Sequence, residues 1–301
     1  MIYPPFDEFP SLTAPATTSS VAPIPTVIPG SETWQEIHDV GMRTLWVVTV
    51  LMGISSLVFY LLAARSPLPK RIFHTLASIT TTISFIVYLA LATNLGSNYS
   101  YNRIHESHKH VPDTTTTIFR QILWLRYLNW ALTTPLLFIN FALISGLPGA
   151  NLLLAIVADL VMLSAGLLGT YANHSRERWV WLTISCIAYL VVIHHVGFHA
   201  QRAARVKDAS TRRFFGALSG STIVVLALFP ITIAAGPLAL QLSVNTETIL
   251  FAILDIFTQG IIGYWLLLAH DSSPEITLYM DGFWSRGIGN EGAIRIEEEG
   301  A

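Results

Sequence analysis

Seven segments of this chain, at about 43–64, 72–95, 117–143, 150–171, 179–200, 212–236 and 246–270, are each long and apolar enough to cross a bilayer. That pattern leaves few folds open. A hydrocarbon layer about 30 Å thick takes about 20 mostly apolar residues per helix. It holds no water, so each segment must satisfy its own backbone polar groups. The expected fold class is therefore all-α, a bundle of seven transmembrane helices. Composition agrees: 12% of the 301 residues are charged and 52% are hydrophobic, against about a quarter charged in soluble domains. Pro135 and Pro230 fall inside spans, where neighbouring helices and side chains satisfy the carbonyls they free.

The connections set the expected orientation. Arg65, Lys70 and Arg71 follow the first span, Arg202, Arg205, Lys207, Arg212 and Arg213 the fifth, and Arg286 and Arg295 the seventh. Alternating helices put all of these on one side, and basic loops stay cytoplasmic. The N-terminus is expected outside and the C-terminus in the cytoplasm. Two N-glycosylation sequons, Asn98-Tyr-Ser100 and Asn173-His-Ser175, fall on the predicted outer side. Three parts are expected: a disordered extracellular tail over 1–40, a membrane domain over 41–270 and a cytoplasmic tail over 271–301. The stretch 10–32 is rich in Pro, Ser, Thr and Ala, too poor in apolar surface to offset chain entropy. No basic n-region or apolar h-region opens the chain, so no signal peptide is expected.

Two polar runs interrupt the spans, RYLNWALTTP at 126–135 and DIFTQ at 255–259. Charged and amide groups in lipid are costly unless paired, so they mark a functional core. Neither run contains a lysine. Arg126 and Asp255 are expected to face one another, directly or through water, as a structural ion pair or a relay. Asp159 is expected to hydrogen-bond between helices. Glu247 reads as a solvated rim residue, and Cys186, the one cysteine, as a buried thiol. His195 and His199 have the i, i+4 spacing of a shared metal, but no acidic residue or cysteine lies near them; helix-end histidines at the interface are the expectation, with no metal site. His105, His108 and His110 are expected in a solvated outer loop.

The third and seventh spans resemble those of the microbial (type I) rhodopsins in their fungal form. The third has that family's Arg-Tyr-x-[Asp]-Trp-x-x-Thr-Thr-Pro pattern and the seventh its Glu-Thr-x-x-x-x-x-x-Asp-x-x-x-[Lys] pattern. The resemblance covers roughly residues 40 to 270 and implies the family core positions Arg126, Asn129, Trp130, Thr133, Pro135, Asn140, Asp159, Asp255 and Gln259. It also implies a ligand pocket at Tyr88, Trp130, Gly166, Leu226, Phe229 and Gln259. Gln259 stands where the family's retinal-linking lysine stands, Asn129 where its counter-ion stands, and Asn140 where its proton donor stands. Leu182, Leu226 and Ile233 sit at positions usually held by tryptophan. These departures make the chain similar to the lysine-free fungal opsin-related proteins, which include heat-shock- and stress-induced plasma-membrane members.

On that basis covalent retinal, and any other cofactor, is not expected. The chain is expected to act as a stress-linked plasma-membrane scaffold or regulator, with the proton-exporting ATPase as a partner and a homo-oligomer as a further assembly. Two rival readings stay open: a receptor or carrier for a noncovalently bound lipid-like ligand, and an ion or proton path through Arg126 and Asp255. No Walker motif, nucleophile elbow, HExxH or dinucleotide fingerprint occurs, so no enzyme is expected. No extended basic tract suggests nucleic acid.

Overall fold

The computed structural model describes residues 31–66, 71–107, 113–207 and 209–271. Among these, seven helices are long and apolar enough to cross a membrane: α1 (Asp39–Arg65), α2 (Arg71–Ala92), α3 (Leu125–Ser145), α4 (Gly149–Tyr171), α5 (Ser175–Val206), α6 (Ala209–Leu238) and α7 (Val244–Leu268). Helix α3 buries the largest share of its residues and α5 the smallest. Elsewhere the bundle presents apolar side chains outward, among them Leu57, Leu61 and Leu190. Helices that are apolar all round suit a lipid surround. The same surround corrects the reading of Cys186, which is exposed on α5; in a membrane span an apolar neighbourhood in sequence does not mark the protein interior.

The bundle is not purely helical. Strands β1 (Ser31–Gln35), β2 (Asn98–Glu106) and β3 (Thr114–Ile122) form a sheet in the order β1-β3-β2. β1 runs parallel to β3 with Trp34 opposite Phe119, and β2 runs antiparallel with Tyr101 opposite the same residue. Three expectations change here. The third helix begins at Leu125 rather than 117, because the β-branched run from Thr114 to Thr117 favours a strand, and hydropathy alone does not separate an apolar strand from a helix start. The connection between α2 and α3, expected as a solvated loop, pairs β2 antiparallel with β3 on either side of residues 108–112. The expected disordered tail over 1–40 contains β1 and the start of α1, with β1 held by its hydrogen-bonded register on β3. Residues 1–30, Lys70, Lys109, His108, His110 and the tail from 272 lie outside the described residues.

Helix ends follow local chemistry. Gly146 closes α3 with φ 74°, its N–H bonded to Ala142 O at 2.9 Å, a left-handed cap that glycine adopts without penalty. Ser243 opens α7 by accepting the Thr246 N–H at 3.1 Å. Three π turns interrupt the helices, at Ile193–His199, Ala234–Leu238 and Ile256–Ile261.

The sheet is bolted to the bundle by Arg120, which is fully buried on β3. Its Nη1 donates to Gln35 Oε1 (2.6 Å) and Leu242 O (2.9 Å), and its Nη2 to Glu247 Oε2 on α7 (2.5 Å). Glu247 is thus a buried ion-pair partner and not a solvated rim residue. The covering β3 strand, which hydropathy had merged into α3, brings the arginine to it. Gly236 on α6 makes room: a Cβ there would lie 2.9 Å from Glu247 Oε2.

Removing one partner of a buried ion pair costs about 3–5 kcal/mol, because the other charge stays buried. Glu247→Ala should lower the thermal unfolding midpoint of the purified protein by that equivalent. The double variant Arg120→Met, Glu247→Leu should recover part of the loss. Equal midpoints for wild type and Glu247→Ala would remove Arg120–Glu247 as the anchor.

Candidate interhelical binding cleft

Asp255 is the last residue of α7 before its π turn and is fully buried. Three neutral donors reach its carboxyl: Tyr88 Oη on α2 donates to Oδ2 at 2.5 Å, Trp130 Nε1 on α3 donates to Oδ1 at 2.7 Å, and Gln259 Nε2 on α7 donates to Oδ1 at a longer 3.5 Å. Hydrogen bonds to a charged acceptor are among the stronger ones, and a buried carboxyl needs them. Trp130 is fixed in turn by edge or tilted contacts with Tyr127, Phe229 and Phe251, at centroid distances of 5.1, 4.9 and 5.0 Å.

One turn on, the π turn carries Gln259 into an amide cluster. Asn129 Nδ2 donates to Gln259 Oε1 at 3.2 Å, and Gln259 Nε2 donates to Thr133 Oγ1 at 3.2 Å. Ser84 Oγ lies against Gln259 Oε1, Asn129 Oδ1 (3.3 Å) and Thr80 O (2.9 Å), with one proton to share among them. The side chains are uncharged, and the two amides answer one another.

Beside this cluster lies a narrow cleft of about 30 Å³ lined by Thr80, Trp130, Thr133, Thr134, Leu137, Met162, Leu163, Leu226, Phe229, Thr258 and Gln259. A second cavity of about 20 Å³ shares Thr80, Leu137, Thr258 and Gln259 with it and continues to Asn140 and Gly263. Gln259 therefore borders both spaces. The lining, apolar with a few convergent polar groups, has the composition of a small-molecule site, while the space between the side chains is about that of a water molecule.

The structure brings together most of the residues singled out from the sequence. Trp130, Leu226, Phe229 and Gln259 line the cleft, Asn129 and Thr133 join its polar wall, and Asn140 borders the second cavity. Pro135 lies within α3. Others fall elsewhere. Tyr88 binds Asp255 and does not line the cleft. Gly166 is a packing position, where a Cβ would meet Ile233 and Tyr127 at 3.5 Å. Asp159 is fully buried and neither of its oxygens has a partner, so the expected interhelical bond is not formed.

Arg126 and Asp255 form no ion pair among the described residues. The carboxyl is taken by Tyr88 and Trp130, and Arg126 turns to Glu247, with Nη1 3.7 Å from Oε1. Its guanidinium also sits 4.8 Å from the Phe251 ring centre, a cation–π arrangement. Sequence reading missed Ser84, Thr258 and Met162. Ser84 stood in the polar run SITTTIS, which was a signal; Met162 stood in an apolar one, which was not.

Comparison with known proteins bears on this geometry. The family described as bacteriorhodopsin-like protein matches residues 42–272. Opsin-1 of Neurospora crassa is 38% identical over 288 residues, covering 94% of this chain and 95% of that protein. The opsin-like protein carO of Fusarium fujikuroi is 29% identical over 246 residues, covering 82% and 78%. Among solved structures, the light-driven proton pump LR (Mac) of Leptosphaeria maculans is similar with a TM-score of 0.77 and 38% identity, over 79% of this chain and 97% of that one. Halorhodopsin, a light-driven chloride pump, is similar with a TM-score of 0.67 and 27% identity, over 78% and 98%.

These findings overturn two expectations. A retinal-free scaffold or regulator, with the rival lipid-carrier and ion-path readings attached to it, gives way to an opsin reading: the relatives are opsins and the similar structures are light-driven pumps. The expectation of no cofactor falls with it, since family and structural neighbours are retinal-binding rhodopsins. The departures at Gln259, Asn129, Asn140, Leu182, Leu226 and Ile233 are few beside a match that spans residues 42–272. Members of such a family are pumps or sensors rather than classical enzymes.

Asp255→Ala should orphan both Tyr88 Oη and Trp130 Nε1, at about 1–3 kcal/mol for each buried donor. Asp255→Asn keeps one acceptor and should lose roughly half as much. Thermal unfolding followed by tryptophan fluorescence reads both; an unchanged midpoint in Asp255→Ala would exclude this carboxyl as the clamp.

Proposed function

Because the chain belongs to the bacteriorhodopsin-like protein family, we propose that it is an opsin-type membrane protein whose interhelical cleft takes a retinal-class polyene. The observation that carries this reading is the family match over residues 42–272. Its place in the fold is the cleft walled by Trp130, Phe229, Leu226, Met162 and Leu163, whose side chains must part to admit a polyene. Burying about 300 Å² of polyene surface at about 25 cal/mol/Å² contributes about 7–8 kcal/mol before association costs. At the polar end Gln259 brings an amide, which does not condense with an aldehyde; what it offers is a hydrogen bond through Nε2, now given to Thr133. Bound retinal would supply visible absorption. The chain supplies shape, dryness and the fixed dipoles of Asn129, Gln259 and Thr133.

Titration of all-trans-retinal into the purified protein in lipid nanodiscs tests this. Saturable quenching of tryptophan fluorescence at one equivalent is expected, with a shift of the retinal absorption band. Trp130→Ala should weaken binding at least about tenfold, a loss of about 1.4 kcal/mol, while the lipid-facing Leu61→Ala should not. Absence of saturable binding would overturn the reading.

The orientation belongs to the same proposal: sheet end outward, basic connections in the cytoplasm, and the plasma membrane as the location. Supporting it, both sequons lie at the sheet end, where Asn173 Nδ2 donates to Tyr101 Oη of β2 at 3.1 Å, and Asn98 opens that strand. Asn98→Gln and Asn173→Gln should each remove one glycan in a gel-shift assay with peptide N-glycosidase. A chain from fungal cells that bears no glycan at either site would count against this orientation.

A further inference from the structure

In a regular α-helix His195 and His199 would share a face. The π turn Ile193–His199 in α5 changes the pairing, since i to i+5 bonding brings residues five apart together. Nε2 of His194 lies 3.0 Å from Nε2 of His199, with the rings 4.7 Å apart at 79°. His195 turns to α4 instead, its Nδ1 3.2 Å from Asn151 Oδ1. His194 is exposed and His199 half-buried, so the pair is open to solute.

Two imidazole nitrogens this close hold either a proton or a cation between them. Metal–imidazole bonds run about 2.0–2.1 Å, which puts two ligands about 2.8–3.0 Å apart at a right angle and about 3.3–3.4 Å apart in a tetrahedron. The observed separation falls at the lower range, that of the tetragonal ions copper(II) and nickel(II). Among the described residues no group of three or more His, Cys, Asp or Glu is arranged for a metal, so the protein contributes two ligands and water completes the shell. That ligand count fits an exchangeable site rather than a structural one.

We propose that His194 and His199 form a two-histidine site for a divalent transition-metal ion, copper(II) binding tightest, on the π turn of α5. The proposal stands apart from the retinal cleft, since neither histidine lines it.

The test titrates copper(II) alone into the full chain in nanodiscs near neutral pH, read by electron paramagnetic resonance. The background carries His105→Gln, His108→Gln and His110→Gln to remove the outer-loop histidines. The expected result is one tight equivalent whose spectrum shows coupling to two imidazole nitrogens. His194→Gln and His199→Gln should each weaken that equivalent at least about tenfold, and His195→Gln should leave it unchanged. The nitrogen count in the parent protein is a reading that needs no further variant. No tight equivalent, a spectrum without two nitrogens, or binding in His194→Gln or His199→Gln as tight as in the parent would each overturn the proposal.

Discussion

The carboxyl of Asp255 is buried without a cation beside it and is held by donors instead, and that arrangement links three helices. Asp255 of α7 takes one bond from Tyr88 of α2 and one from Trp130 of α3. Trp130 donates its indole N–H to the carboxyl while its ring borders the cleft and packs against Tyr127, Phe229 and Phe251. The polar clamp therefore sets the apolar wall. The α7 π turn starts immediately after the clamp and delivers Gln259 to the same space.

Neutral donors at Asp255 also leave Arg126 without its presumed partner, and the sheet explains where it goes. β3 carries Arg120 onto Glu247, which then lies between two guanidinium groups at 2.5 and 3.7 Å. Electrostatic attraction in a medium of low dielectric is strong enough to orient a long side chain over such distances. The charged groups thus gather toward the sheet, and the amides and hydroxyls of Asn129, Gln259, Thr133 and Ser84 gather around the cleft. Charge sits at one end and the apolar site in the middle, an arrangement that spares the cleft the cost of an unpaired ion.

The helices were legible because lipid imposes length and composition on any span, and the core positions were legible because polar residues in lipid are too costly to be incidental. Asn129 and Gln259 were found that way, and Trp130 and Thr133 through the resemblance to the microbial rhodopsins. What escaped had no comparable signature. A run of threonines with apolar neighbours reads equally as strand or helix, so β3 was taken into α3 and with it the site of Arg120. Periodicity assumes a regular turn, so it did not show that the π turn of α5 brings the His194 nitrogen to His199 while the His195 ring stays stacked on it. Partner choice in three dimensions, as between Arg126, Glu247 and Asp255, is set by packing that no spacing rule encodes.

The functional reading failed at a different link. Gln259 was read correctly as an amide, and the step from that amide to an absent cofactor was the unsound one. A noncovalently held ligand stood only as a rival reading. Burial supplies several kilocalories per mole whether or not a bond forms, and the wall of Trp130, Leu226, Phe229, Met162 and Leu163 is present in this chain. The identity of residue 259 decides how the polar end of a ligand is met. The shape and dryness of the cleft decide whether its body is held, and those belong to the fold that the chain shares with its family.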